Sequence, residues 1–332
     1  MKNVLVTAIG SFSADIVIKN LIAEGIRVIG CDIYPSEWIV DSANVSAFYQ
    51  VPYATDEEAY VEKVLSICRK EEIDGLVILT DVEVDVWNLR RKELEAEGIT
   101  LCLSSEKTVD LCRDKEKFYR FFQEQGFDFV IPTYRLNEIS EEMLDYPLMV
   151  KPYNGRSSQG LHYINSEQEL LHLVQLVQRE TRGSVEDYIV QPMIRGPVIT
   201  VDIVRQPETG GFVAVSRKEL LRTLNGAGTS VLVFHDEQLE EICRLAADAL
   251  DIRGCVNFEF IKSADDKYYI LECNPRFSGG VEFSCMAGYD CISNHIKCFD
   301  GRTMEPAGEI ASVYIARKYE EYITGVLDDT LK

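Results

Sequence analysis

The sequence predicts a mixed architecture, an α/β unit with a parallel sheet followed by an α+β part with antiparallel sheets. Over residues 1–105, apolar strand-like runs alternate with helical repeats, the pattern of parallel strands joined by crossover helices. Beyond residue 105 that rhythm stops, and strand pairs are joined by short polar turns, as in hairpins. The length, 332 residues, exceeds what one small core supports and fits two or three domains.

In the first unit, residues 4–8 form an apolar run that ends at Gly10 and Ser11. Ile16, Ile18, Leu21 and Ile22 then recur at helical spacing up to Gly25. Residues 27–31 make a second strand ending at Asp32, and residues 48–51 a short third. Val61, Val64, Leu65 and Cys68 share one face of a helix over 57–70. Residues 75–79 are a buried strand ending in Thr80 and Asp81, 84–97 one further helix, and 100–103 strand-like. A dinucleotide fingerprint needs three glycines in the first turn, and Gly10 stands alone there, which argues against NAD. Ligands of such sheets bind beyond the carboxyl ends of the strands. Gly10, Ser11, Asp32, Thr80 and Asp81 lie there, either as turn and cap residues or as a substrate edge.

In the second part, residues 107–112 and 115–125 are two short helices. Asp114 is placed to cap the second. That puts Lys115 in its first turn, where the helix dipole disfavours a cation, and such local conflicts can mark function. Strands over 148–150 and 161–164 flank Asn154-Gly155-Arg156-Ser157-Ser158-Gln159-Gly160, a small polar loop able to fold backbone N–H groups over phosphates. It is not a Walker loop, because no Gly-Lys-Ser/Thr leads into a helix. Lys151 and Pro152 follow the first of these strands, which holds the lysine near the loop. Residues 166–181 are helical. Residues 188–194 are a strand in which Pro192 cannot donate to a ladder, hence an edge or a bend. The carbonyl and N–H groups of such a bend can read the rim of a flat base. Strands over 198–204 and 211–216 lead to Arg217 and Lys218, a loop over 222–230 and a helix over 236–250.

Composition narrows the function. A net charge of −21 argues against nucleic-acid or anionic-membrane partners, which need basic patches. Ten cysteines are scattered without a CxxC pair, and the four histidines, His162, His172, His235 and His295, lie far apart. This is the usage of free thiols in a reducing cytosol. No apolar stretch approaches the ~20 residues of a membrane span, so a cytoplasmic protein is expected.

The sharpest local signal is residues 255–261 and 268–272, which flank Ser263-Ala264-Asp265-Asp266-Lys267 as a hairpin. A two-residue turn at Asp265-Asp266 would pair 259 with 272 and 257 with 274. Asn257, Glu259, Glu272 and Asn274 would then converge on one face. Two opposed carboxylates are unfavourable unless a cation lies between them. Two carboxylates and an amide suit Mg²⁺, which completes its shell with water and substrate phosphates. Arg276, just beyond, could hold a phosphate oxygen or a substrate carboxylate.

Together these stretches resemble the ATP-grasp superfamily, in the branch of carbamoyl-phosphate synthase large chains, biotin carboxylase and small carboxylate–amine ligases. The resemblance covers nearly the whole chain. It implies a Rossmann-like pre-ATP-grasp domain over 1–105 and a two-lobed ATP-grasp domain over 106–332, with a lid at about 126–190 and a catalytic half at about 191–332. It implies Glu259, Glu272 and Asn274 as ligands of Mg²⁺ or Mn²⁺, and Arg276 beside the transferred phosphate. Lys115 and Lys151 would contact the nucleotide. Gly155, Ser157, Ser158 and Gly160 would belong to the lid over the triphosphate. Gln191, Pro192, Met193 and Ile194 would form the adenine hinge, with Pro192 C=O and Ile194 N–H as its contacts.

The implied activity is ATP-dependent activation of a small-molecule carboxylate as an acyl phosphate, followed by attack of an amine. Arg217 and the 222–230 loop would line the acceptor site. Alternatives are phosphorylation of bicarbonate or carbamate, and a nucleotide-binding protein without turnover. The glutamate that usually holds the ribose is replaced by Val198, where Thr200 or Asp202 could take part. A homodimer through the first sheet is a further expectation.

Overall fold

The computed structural model describes residues 1–139, 145–153, 160–179, 184–223 and 226–326. The first unit runs β1 (Asn3–Val6), α1 (Ala14–Ala23), β2 (Arg27–Asp32), β3 (Ala47–Gln50), α2 (Glu57–Glu71), β4 (Gly75–Val77), α3 (Asp81–Leu89), α4 (Arg91–Ala96) and β5 (Thr100–Leu101). Its sheet has the order β3-β2-β1-β4-β5, with every pair parallel. Val4, Leu5 and Val6 are all buried, because helices cover both faces of a parallel sheet. Ala14, Val17, Ile18 and Leu21 form the inward stripe of α1. The expected single helix over 84–97 is two helices. The chain breaks at Arg90, whose guanidinium is shared by Glu57, Glu58 and Glu93.

Two helices, α5 (Glu106–Arg113) and α6 (Lys115–Glu124), lead out of this unit. The cap expected at Asp114 is present: its carboxylate accepts from Lys117 N–H at 3.0 Å. A small antiparallel sheet follows, from β6 (Tyr134–Arg135), β7 (Leu148–Pro152), β8 (His162–Ile164) and β9 (Tyr188–Pro192), in the order β6-β9-β7-β8, with α7 (Glu167–Arg179) between β8 and β9. β9 is therefore an inner strand, which removes the edge from the two expectations, edge or bend. Pro192 is tolerated because it is the last residue of β9, beyond the Tyr134–Val190 and Arg135–Ile189 pairs with β6.

The largest sheet is antiparallel and has the order β14-β13-β10-β11-β12-β15. It is built from β10 (Val198–Gln206), β11 (Gly211–Arg222), β12 (Gly228–Phe234), α8 (Glu237–Ala249), β13 (Gly254–Lys262), β14 (Tyr268–Asn274), α9 (Val281–Met286), α10 (Cys291–Lys297) and β15 (Tyr314–Ala316). One core lies under α6 and α8, where Phe118, Phe122, Leu239 and Cys243 meet Phe258 and Phe260. Another spans both units: Val6, Val17 and Leu21 share a cluster with Val204, Val281 and Ile292.

The β13–β14 hairpin differs from expectation at its tip. Ser263 N–H donates to Lys267 O, so three residues, 264–266, form the loop, with Asp266 at φ +67°. Near the turn this puts the ladder one residue out of step, pairing Phe260 with Ile270. A bulge at Leu271 absorbs the difference, and Glu259 faces Glu272 and Asn257 faces Asn274, as the sequence predicts. The bulge is anchored from outside the ladder. Tyr119 OH donates to Leu271 O, and Ile270 N–H donates to Phe129 O at 2.8 Å.

Among the described residues no helix is long and apolar enough to cross a membrane. The described cysteines are all free thiols, buried except for half-buried Cys285.

Candidate active site

A cleft of 710 Å³ opens between the small sheet, the large sheet and the carboxyl ends of the first sheet. That volume suits a nucleotide-sized ligand. Strand alternation and the Leu271 bulge turn Glu259, Glu272, Asn257 and Asn274 onto its floor, while Phe258 is buried in the core.

The floor is strongly charged. Asn274 Nδ2 donates to Asn257 Oδ1 and to Glu272 Oε1, both at 3.2 Å, which orients the amide and frees its oxygen for a cation. Lys115 Nζ lies 3.3 Å from Glu272 Oε2. Arg222 Nη2 lies 3.4 and 3.3 Å from the two oxygens of Glu259. Burial pushes the Glu259 carboxyl up to about 7, and the facing Glu272 adds to that. Glu272 feels the same burial, but Lys115, Lys151 and the Asn274 amide outweigh it and hold its carboxyl below the usual range. Lys151 is 8% exposed at the end of β7. Burial brings its ammonium down to about 8, against the pull of Glu272 and Glu259. Its Nζ is 3.5 Å from Tyr119 OH, the same hydroxyl that anchors the bulge.

Among the described residues no three His, Cys, Asp or Glu side chains gather as a metal cage. The available donors are therefore two carboxylates and an amide, a small set that Mg²⁺ completes with water and phosphate oxygens. Lys115 and Arg222 each approach one acid of the pair, which leaves further carboxylate lone pairs and the Asn274 oxygen for a metal. The residues fit a divalent cation.

At one end of the cleft, Gln191, Pro192, Met193 and Ile194 form the wall. Gln191 Nε2 donates to Thr133 Oγ1 at 2.7 Å, and Met193 N–H donates to Pro147 O at 2.9 Å. At the other end, Arg276 is gripped by Asp81 of the first unit.

Arg217 lines this far end, but its side chain is 1% exposed, and its guanidinium donates to Asp202, Ser278 and Ser284. Asp202 is outside the cleft lining and accepts from Arg217, so the structure does not bring it to the residues 191–194 wall. Thr200 lines the cleft and donates to Glu219. Of the expected lid residues, Gly160 lies just before β8 at φ +69°, outside the cleft lining. Gly155, Ser157 and Ser158 lie outside the described residues.

Of the possible substrate edge, Ser11, Thr80 and Asp81 line the cleft, whereas Asp32 is an internal turn residue that accepts from Gly10 N–H at 2.8 Å. Two roles have no sequence signal: Arg222 on Glu259, and Asp81 on Arg276 across 195 residues.

Two family models match parts of the chain. A family model described as ATP-grasp in the biosynthetic pathway with Ter operon matches residues 184–321. One described as the PylC-like N-terminal domain matches residues 4–102. The carbamoyl phosphate synthase large chain of Sulfurisphaera tokodaii is 25% identical over 240 residues, 69% of this chain and 22% of that one. The chain thus spans about a quarter of the length of such relatives.

Among solved structures, the biotin carboxylase domain dimer of Hydrogenobacter thermophilus 2-oxoglutarate carboxylase, in complex with MgADP, ADP and bicarbonate, superposes with TM-score 0.78. It is 18% identical, with 94% of this chain and 73% of that one covered. The L-amino acid ligase of Bacillus licheniformis gives TM-score 0.68 at 18% identity, covering 90% and 73%. The fold is that of these solved structures, and the family model over residues 184–321 bears out the resemblance to the ATP-grasp superfamily in that segment.

Proposed function

From a chain that joins a PylC-like N-terminal domain to an ATP-grasp domain, we propose an ATP- and Mg²⁺-dependent ligase that activates a small-molecule carboxylate for attack by an amine. The observation that carries this reading is the opposed Glu259–Glu272 pair with Asn274, set in one cleft with Lys115, Lys151 and Arg276. Glu259, Glu272 and Asn274 would hold Mg²⁺, which would supply positive charge to offset that of the phosphoryl group. Lys151 and Lys115 bind phosphate oxygens, and Arg276 meets the transferred group.

A substrate carboxylate oxygen attacks the γ-phosphorus, the β,γ P–O bond breaks, and ADP leaves. The amine nitrogen then attacks the acyl carbon, phosphate departs, the nitrogen loses a proton, and an amide remains. Adenine rests against residues 191–194, with Pro192 C=O and Ile194 N–H as its contacts. An acyl phosphate hydrolyses readily, so the site has to exclude water; that is the role expected of residues 154–160, of which 154–159 lie outside the described residues.

In this reading residues 1–105 and 106–332 are the two domains. A homodimer is the expected assembly, as the Hydrogenobacter domain is a dimer, and the cytoplasm is the expected location.

The test is phosphate release from MgATP with pooled carboxylates crossed against pooled amines, followed by mass spectrometry of active wells. Release that requires one acid and one amine, with a product lighter by one water than their sum, is the expected result. Release that needs bicarbonate alone would replace the ligase by a bicarbonate-phosphorylating enzyme. Nucleotide binding without release in any well would favour a protein that binds without turnover.

A further inference from the structure

Arg276 is held by a residue of the other unit. Asp81 opens α3 directly after β4, and its two oxygens accept from Arg276 Nε at 2.9 Å and Nη2 at 2.6 Å. Phe277 O accepts from Nη1 at 3.0 Å. A guanidinium carries five N–H donors in one plane. Three are thus committed to the protein, and two remain, one on each terminal nitrogen. Fixing the Nε–Nη2 edge fixes the whole plane, which a lysine in the same place would not allow.

Asp81 is itself buttressed. Arg113 Nη1 lies 3.3 Å from Asp81 Oδ1, and Arg113 Nε donates to Asp85 at 2.7 Å, one turn further along α3. A carboxylate in the first turn of a helix is also favoured by the helix dipole. Asp81, Arg113 and Arg276 all line the cleft. The contact is therefore where a ligand would feel it, unlike the tie between Ser104 and Arg253, which joins the same two units away from the cleft.

We propose that Asp81 is a positioning residue: from the N-terminal unit it sets the plane of the Arg276 guanidinium, so that the remaining N–H groups meet the terminal phosphoryl oxygens of a bound nucleoside triphosphate. This rests on the ATP reading of the same cleft. It makes the first unit part of the phosphate site through one carboxylate.

The experiment is calorimetric titration of the full chain with β,γ-imido-ATP and with ADP, each with Mg²⁺. Asp81→Asn keeps the shape but weakens the fork. It is expected to lower affinity for the triphosphate analogue by about tenfold while ADP changes by less than about twofold. In an Arg276→Lys background the same substitution should change neither.

A purely structural tie would lower the melting temperature and weaken both nucleotides alike. That pattern, an unchanged pair of affinities, or an undiminished effect in the Arg276→Lys background would each overturn the proposal. Should Asp81→Asn fail to fold, Asp81→Glu, with the same charge one methylene further out, is read the same way. Failure of the ATP reading is visible separately, on the unmodified chain. If it binds neither nucleotide, that reading falls, and this proposal with it.

Discussion

Glu259 and Glu272 are the same residue type, on paired strands, facing each other, yet their surroundings drive them apart. Burial and the like charge opposite raise Glu259 to about 7, whereas Lys115 and Lys151 pull Glu272 below the ordinary range. Lys151 is shifted to about 8 by burial. Under the proposed function, these directions give a pH profile for MgATP affinity. Below about pH 7 Glu259 takes up a proton and loses its hold on a cation, so affinity falls as pH drops. Above about pH 8 Lys151 gives up its proton and its attraction for phosphate, so affinity falls as pH rises. A bell-shaped profile, falling on the acid side with Glu259 and on the alkaline side with Lys151, is expected in titrations across pH 5.5–9.5. Lys151→Met should remove the alkaline fall and leave the acid one, and an unchanged alkaline limb in that variant would contradict the assignment.

The floor hairpin shows how far local pattern reaches. The facing pairs 259–272 and 257–274 follow from alternation and from the polar stretch between two apolar runs. The turn does not, because a two-residue turn and a three-residue turn with a compensating bulge leave the same outer pairs. What selects the bulge is contact from other elements, Tyr119 on α6 and the segment at Phe129. The loop places Asp266 at φ +67°, a conformation that Asp tolerates and β-branched residues do not. Asp266→Val is expected to cost roughly 1–2 kcal/mol, read as a lower urea midpoint, with nucleotide binding unchanged. Similar limits apply at β9: Pro192 signals that a ladder stops, but whether it stops at a sheet edge or at a strand end depends on which strands arrive beside it.

At the level of the molecule, the two units share buried apolar contacts. Val6, Val17 and Leu21 on one side and Val204, Val281 and Ile292 on the other belong to a single cluster. Unfolding either unit alone would expose the other half of that cluster to water, at about 25 cal/mol per Å². Scanning calorimetry should therefore show one cooperative transition for the chain. Two well-separated transitions would mean that the shared cluster contributes little.

Chemistry confined to a short stretch was readable from residue order: alternating strands and helices, a capped helix bearing Lys115, a lysine at a strand end, and two acids opposed across a turn. These depend on backbone periodicity and nearest-neighbour geometry, which the chain carries locally. The partners of those groups were not readable. Asp81 on Arg276, Arg222 on Glu259 and Asp202 beneath Arg217 join residues from different elements. Charge attraction acts across space irrespective of chain distance, so only the packed arrangement of the two units and three sheets decided which charges met.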